Sequence, residues 1–498
     1  MTENDHLKQY KNKYSQNFIK EYSGEKGLLK NEYGAELPCK FEIGQLENGK
    51  IILICKISVF DFQKCYFKSC EYYKSSIAEM KDYMAHYSLP ASVVLEKFNT
   101  FKGEDSEILM NLIGVINLFL EIDPNSIDDH NSEYFRAVYI ITELTASTGT
   151  IEDINCVKFG ITNFIFGDKS DKTLSLSIED VKRLTIKKIK NYENVSDILI
   201  FTKGIRVTCD VIIEIDSKTK LNDLENIICD LCDLMSIAWG IRIQWVCYCA
   251  YNSKDEIVLY KHVYSVTKPY YFNKIIRVNN TETLKNFLEI SYPVLSEKSN
   301  MLRYGETTAK PLINAYLDAK AENDYLEGRG IKLAVVMEML KKAFLEHEPE
   351  LNYIIKEEEF KNLQLELETT FEDVFKQFTN SKSRKLFNSN IKGINRRPFR
   401  IILHKLCKKI NLQVGNDYLQ SVVDSRNKLI HEGNFLCESD DMEEKYRNLE
   451  AYPQFQDPEH EYYFLMNFVD KCFLKLLGYK GDYYRWVSAS ESIQEKLL

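Results

Sequence analysis

Short apolar runs separated by glycine, asparagine and charged residues make up much of the first part of the chain. In residues 50–57, β-branched side chains follow an Asn-Gly pair, a pattern typical of a strand next to a hairpin turn. Similar patterns predict strands within residues 39–62, 135–144, 161–166, 198–215, 241–250 and 256–266. Within 198–215, Lys203 and Gly204 are predicted to form a turn between two strands. About the first 270 residues are therefore predicted to be mainly β.

Helical periodicity appears once inside this β-rich part and then dominates the rest of the chain. Apolar residues recur three or four positions apart between Leu224 and Met235, which predicts a helix over about 221–238. Further helices are predicted at 283–295, 309–324, 331–347, 363–378, 399–410, 417–432 and 462–477. The predicted fold class is α+β and multidomain. It comprises a β-rich region of one or two subdomains at 1–280, a helical connector at 281–325 and an all-α bundle at 326–498.

Composition and charge narrow the classes of function. The formal net charge of -9 argues against a protein that binds nucleic acid over its whole surface, because phosphate binding needs clustered lysine and arginine. Neither a signal peptide nor a long apolar span is found, so we expect a cytoplasmic protein without a membrane partner. The sequence contains no P-loop, dinucleotide-binding or zincin motif. The 13 cysteines have no regular spacing and are expected to be reduced thiols.

One segment of the helical part is strongly basic. Residues 381–410 contain ten lysines and arginines and no acidic residue, whereas acidic residues dominate 348–372. A segment of this kind can contact phosphate groups. It can equally be a solvated surface that balances the acidic stretch before it. The sequence alone leaves both interpretations open.

The helix predicted at 417–432 carries polar residues in unusual places. Arg426 occupies a position in its apolar stripe where an aliphatic side chain is expected, so its guanidinium needs a partner or a ligand. Asn427 and His431 are four residues apart and therefore share one helix face. By itself, His431 is also compatible with a cation that interacts with the helix dipole ahead of a stop at Gly433.

The sequence Arg426-Asn427-x-x-x-His431 resembles the Arg-x4-6-His motif of HEPN domains, which are small helical bundles found in many RNA-cleaving toxins and defence proteins. Residues 328–340 resemble the opening helix of the ApeA-like HEPN group, which occurs in bacterial anti-phage proteins. The resemblance covers about residues 300–480.

Glu338 stands alone among apolar residues in this opening helix. The resemblance implies that Glu338 faces the motif and pairs with Arg426. The alternative, from the residues alone, is that Glu338 points to solvent beside Lys341 and Lys342.

The resemblance implies an endoribonuclease that needs no metal or cofactor. RNA can be cleaved by its own 2′-OH if a base, an acid and positive charge on the phosphorane are supplied. One chain offers one histidine at the motif, so we expect a homodimer, or a higher even-numbered oligomer, in which two motifs face each other. The expected catalytic residues are Arg426, Asn427, His431 and Glu338. The products would be a 2′,3′-cyclic phosphate and a 5′-OH.

The basic segment supplies the expected RNA contacts, namely Arg396, Arg397, Arg400 and Lys405. The expected role is an abortive-infection effector against phage that cleaves RNA, with tRNA as one candidate. A phage-derived protein recognised by residues 1–280 is the expected trigger. The alternative is a non-catalytic sensor or interaction protein that contains a HEPN-like bundle.

Two pairs of cysteines are weak candidates for a zinc site. Cys229 and Cys232 lie three residues apart on a predicted helix, and Cys247 and Cys249 lie two apart on the following strand. Each pair can therefore present both thiols on one side, and four thiolates satisfy tetrahedral zinc. Because free cysteine is often simply buried, a core position is the alternative.

Overall fold

The computed structural model describes residues 18–30, 36–58, 91–103, 106–122, 134–147, 153–167, 172–179, 181–202, 205–215, 220–263, 274–303, 310–321, 324–370, 393–438 and 455–497. Contacts divide the chain into two compact units. The first consists of 1–236, 241–270 and 279–285, and the second of 237–240, 271–278 and 286–498. Residues 286–325, most of the predicted connector, thus belong to the same unit as 326–498.

The first unit is built on one sheet, which has 12 strands within the described residues. They are β1 (Phe18–Lys30), β2 (Glu36–Leu46), β3 (Ile51–Ser58), β4 (Ala91–Gly103), β5 (Ser106–Ile122), β6 (Tyr134–Ser147), β7 (Ile154–Thr162), β8 (Thr173–Leu176), β9 (Arg183–Lys188), β10 (Val207–Glu214), β11 (Gln244–Asn252) and β12 (Ile257–Val263). Their order is β3-β2-β1-β4-β5-β6-β12-β11-β7-β10-β9-β8, and β3 also pairs with β6. Neighbouring strands are antiparallel.

Strand β6 joins two parts of this sheet. Its residues 134–141 pair with β3 and its residues 143–147 pair with β12, while β5 pairs along its other edge. Because β3 continues through β2, β1 and β4 to β5, six strands close into a ring. Ile52, Ile54 and Val138 from β3 and β6 pack together in its core. The β-rich character predicted for this part of the chain is confirmed.

Two helices accompany the sheet, α1 (Tyr192–Thr202) and α2 (Leu221–Trp239). The prediction of α2 is confirmed, whereas the strand predicted at 198–201 is wrong. In α1 the buried residues are Tyr192, Ser196 and Leu199, which recur at helical spacing, while Ile198 and Ile200 are exposed. The β-branched side chains therefore gave a misleading signal. The predicted turn at 203–204 lies outside the described residues.

The second unit contains mostly helices. They are α3 (Thr281–Ser296), α4 (Pro311–Ala319), α5 (Leu326–His347), α6 (Glu357–Thr370), α7 (Phe399–Lys409), α8 (Asn416–Glu432) and α9 (Pro458–Leu476). The helices predicted for this part are present, and α6 begins earlier than predicted; residues 371–378 of that prediction lie outside the described residues. An all-α region is wrong, because β13 (Asp482–Trp486) and β14 (Ser492–Lys496) form an antiparallel hairpin after α9.

Helices α5 and α8 run antiparallel and in close contact. At one end, a β-carbon on Gly330 would lie 2.9 Å from Leu429 Cδ2 and 2.7 Å from Phe435 Cζ. At the other end, Glu338 contacts Arg426. Increasing residue number along α5 thus matches decreasing number along α8. Glycine at 330 allows the close approach that brings the two polar residues together.

A buried polar group links α4 and α9. Lys320 and Asp470 are 1% and 0% exposed, and Lys320 Nζ donates to Asp470 Oδ1 at 2.8 Å. Tyr316 Oη donates to the same oxygen at 2.5 Å. Burial raises the pKa of Asp470 and lowers the pKa of Lys320, because each charged form loses hydration in the core. None of the described helices is long and apolar enough to span a membrane.

Candidate functional site

Arg426 lies on the inner side of α8, as its place in the apolar stripe predicts. Its side chain is 13% exposed, and its guanidinium Nη2 donates to Glu338 Oε1 on α5. Nη1 donates to Asn427 Oδ1 at 2.6 Å, and the guanidinium carbon lies 4.7 Å from the centre of the Phe399 ring on α7. Side chains of three helices therefore hold this cation, while its Nε is buried and has no hydrogen-bond partner among the described residues.

Glu338 binds a second cation. Lys341 Nζ donates to Glu338 Oε2 at 2.6 Å and lies 5.3 Å from the centre of the same Phe399 ring. We call Glu338, Lys341, Phe399, Arg426 and Asn427 the Arg426 cluster. The contact between Glu338 and Arg426 expected from the resemblance is present. Glu338 is also 29% exposed beside Lys341, as the alternative expected. Its carboxylate therefore binds both Arg426 and Lys341.

His431 lies one turn after Asn427 and is exposed. Gly433, with φ of 79°, ends α8 directly after it, and the Gly433 N–H donates to Leu429 O at 3.1 Å. Asn427 Oδ1 accepts a hydrogen bond from Arg426. Among the residues that the structure describes, none hydrogen-bonds to the His431 ring. The imidazole is therefore accessible to a ligand or to another chain.

The expected RNA contacts differ in their surroundings. Arg396 and Arg400 are exposed, and Lys405 is half-buried. Arg397 Nε donates to Tyr353 O, so this guanidinium fixes the backbone before α6. The basic residues at 382, 384, 385 and 392 lie outside the described residues.

Lys409, at the end of α7, is also engaged within the protein. Its Nζ donates to Glu348 Oε1 at 2.7 Å. That hydrogen bond lowers the pKa of Glu348, because it favours the charged carboxylate. Two cations of the basic segment, at 397 and 409, thus have structural partners. Within the described residues, the side chains of Arg396, Arg400, Lys405 and Lys408 have none.

Sequence reasoning missed Phe399 and underrated Lys341. An aromatic residue at the start of a basic helix carries no signal for the two cations it contacts, since they come from other helices. Lys341 was recognised only as a neighbour of Glu338. The i to i+3 spacing on α5 allows their ion pair, but the spacing does not predict the shared aromatic ring.

The four cysteines considered for zinc do not form a site. Among the described residues, no group of three or more His, Cys, Asp or Glu has an arrangement that could hold a metal. Cys229 Sγ accepts a hydrogen bond from Trp245 Nε1 at 3.2 Å, and Cys247 packs against Gly160. Burial raises the pKa of Cys247 to about 12, which favours the neutral thiol. Cys232 is buried, in agreement with the alternative interpretation of a core position, whereas Cys229, Cys247 and Cys249 are half-buried.

No family model matches the sequence, and neither a curated protein nor a solved structure is significantly similar to it. The resemblance to the HEPN motif therefore rests on the residues of the chain itself.

Proposed function

We propose that this protein is a metal-independent RNA endonuclease of the HEPN type that acts as a homodimer, in bacterial defence against phage. The observation that carries the proposal is the arrangement on α8. Arg426 is held in place by three helices, and His431, five positions later, is exposed and has no hydrogen-bond partner within the described residues.

In the proposed reaction, the 2′-OH of the RNA attacks the adjacent phosphorus while one His431 removes its proton. The 5′-oxygen leaves with a proton from the second His431, supplied by the partner chain. Arg426 stabilises charge on the phosphorane oxygens, because a guanidinium is permanently charged and matches phosphate geometry. Glu338 and Asn427 act as positioning residues, since both bond to Arg426 and restrict its orientation. The products are a 2′,3′-cyclic phosphate and a 5′-OH end.

The proposal includes regulation by the β-rich first unit. An active ribonuclease harms its own cell, so the enzyme is held inactive until a trigger such as a phage-derived protein binds the first unit. The RNA substrate belongs to the host or the phage, with tRNA as one candidate.

One observation favours a second candidate function. The Arg426 charge is already compensated within one chain by Glu338, and Asn427 satisfies a further donor. A cation paired in this way suits a structural network, in which case the helical unit serves for partner binding without catalysis. The two candidates differ in whether RNA is cleaved.

The deciding experiment expresses the full chain and its His431→Ala and Arg426→Ala variants in bacteria, with and without phage infection, and maps the RNA ends that appear. The proposal predicts that only the wild type produces new 5′-OH ends and 2′,3′-cyclic phosphates. It also predicts that wild-type protein purified from infected cells, together with its trigger, cleaves RNA equally well in EDTA. Cleavage that persists in His431→Ala or stops in EDTA contradicts the mechanism. Absence of new ends under infection favours the second candidate.

A further inference from the structure

Helix α7 carries two cationic side chains, with a histidine between them, in a row along its exposed side. Arg400, His404 and Lys408 are spaced four residues apart, so they lie on one face and rise about 6 Å per step along the axis. Arg400 and Lys408 are exposed and His404 is half-buried. We call these three residues the α7 stripe. No acidic residue occurs in α7.

The charges of this stripe are not compensated within the described residues. Neither Arg400 nor Lys408 has an ion-pair partner there, in contrast to Lys409 of the same helix, which pairs with Glu348. Arg397, just before the helix, is bound to the Tyr353 backbone. Exposed cations in a row, without an ion-pair partner among the described residues, form a local positive feature on a protein with net charge -9 and can attract an anionic partner.

The surface beyond the stripe is concave and mixed in character, with Cys407, Leu412 and Val414 among the residues that line it. His404 and Lys408 line an open depression together with Asn411 and Gln413 from the turn that follows α7. Amide side chains can bond to sugar hydroxyls and phosphate oxygens as well as to bases. The row of cations thus leads into a surface that offers further hydrogen-bonding groups.

The other end of the stripe lies next to the Arg426 cluster. Phe399, the residue before Arg400, contacts the Arg426 guanidinium. A strand bound along α7 would therefore reach the cluster at the N-terminal end of the helix. Its phosphates would meet Arg400 and Lys408, two cations that lie about 12 Å apart along the axis.

We infer that the α7 stripe binds the sugar-phosphate backbone of a single RNA strand and guides it to the Arg426 cluster. The inference deepens the proposed function and rests on it for the identity of the nucleic acid. It changes the set of expected RNA contacts: Arg400 stays, His404 and Lys408 are added, and Arg397 is assigned to the fold. Binding is mainly electrostatic and therefore sensitive to salt.

The test measures RNA binding in a background that does not cut. Full-length His431→Ala protein is titrated against a fluorescein-labelled single-stranded RNA oligonucleotide, and the anisotropy is recorded over a salt series. Adding Arg400→Ala and Lys408→Ala should weaken binding about tenfold or more. It should also lower the slope of log affinity against log salt by about 1.4, since each contact to a single strand contributes about 0.7.

The matched control adds Lys361→Ala and Lys409→Ala, which remove the same charge from lysines paired with Glu357 and Glu348. This control should change affinity less than about twofold. Thermal melts of all variants establish that each is folded. The inference is overturned if the stripe variant binds RNA like its His431→Ala parent, or if the control loses as much affinity as the stripe variant. It is also overturned if the parent binds no RNA, or binds duplex DNA in place of the single-stranded RNA.

Cleavage by the chain with intact His431 is measured separately in phage-infected cells, where the trigger required by the proposed function is present. If this chain does not cut RNA but the stripe dependence of binding is found, the inference stands and the proposed function fails. If it cuts RNA and the stripe variant binds and cuts like the wild type, only the inference fails.

Discussion

The guanidinium of Arg426 is bonded to the carboxylate of Glu338, a residue 88 positions earlier in the chain. The pair connects α8 to α5, and it is only partly shielded from solvent, since the two side chains are 13% and 29% exposed. Its orientation is restrained further by Asn427 and Phe399.

Glu338 and Arg426 should be energetically coupled. In a double-mutant cycle with Glu338→Gln and Arg426→Gln, measured by urea unfolding, the coupling free energy is expected to be about 1 to 2 kcal/mol. The reason is that either single change removes the charge-assisted hydrogen bond between the two partly buried side chains, although Glu338 keeps its bond to Lys341. Changes that add within about 0.5 kcal/mol would show that the contact does not stabilise the fold.

His431 should act in pairs. Suppose that each active site needs His431 from both chains and that wild type and His431→Ala are mixed equally and assort freely. The mixture should then have about one quarter of the cleavage activity of the same total amount of wild type, because only that share of dimers has two histidines. Subunits are exchanged by refolding or co-expression before cleavage is assayed. Retention of about one half would indicate that each chain works independently.

Gly330→Ala should destabilise the helical unit by about 1 to 3 kcal/mol. The new β-carbon would meet Leu429 and Phe435 below 3.0 Å, so these buried side chains, or the backbone that carries them, would have to shift. Gly328→Ala, two residues earlier in the same helix, is the matched control, because no atom lies within 4 Å of its β-carbon. There alanine should stabilise by about 0.5 to 1 kcal/mol through its helix propensity. Equal effects at both positions in urea unfolding would rule out the close packing at residue 330.

Lys320→Met or Asp470→Asn should each destabilise the fold by about 3 to 5 kcal/mol, because each change leaves an uncompensated charge in the core. In Asp470→Asn, the burial that lowers the pKa of Lys320 is no longer opposed by the carboxylate. The folded state then binds fewer protons than the unfolded state, so the stability of this variant should rise from neutral to alkaline pH. The test compares the urea unfolding midpoint of Asp470→Asn at neutral and at alkaline pH, with Lys320→Met, which lacks the lysine, as the reference. A midpoint for Asp470→Asn that falls as pH rises would contradict the assignment.

Local patterns in the sequence were sufficient for most helices. Apolar spacing predicted α7, α8 and α9 closely, since amphipathic periodicity reflects which face must be buried. The pattern misled at α1, where the β-branched residues Ile198 and Ile200 turned out to be exposed. Local propensity is a weak signal when tertiary contacts decide which side of a segment faces the core.

In the candidate site, too, some features follow from local sequence and others from the packing of helices. The sequence alone determined that Arg426 lies in an apolar stripe and shares a helix with Asn427 and His431, because helical spacing depends only on local geometry. The tertiary structure decided that Phe399 and Lys341 join the site and that Arg397 binds the backbone at Tyr353. Those contacts connect separate helices, and no spacing along the chain encodes how helices pack.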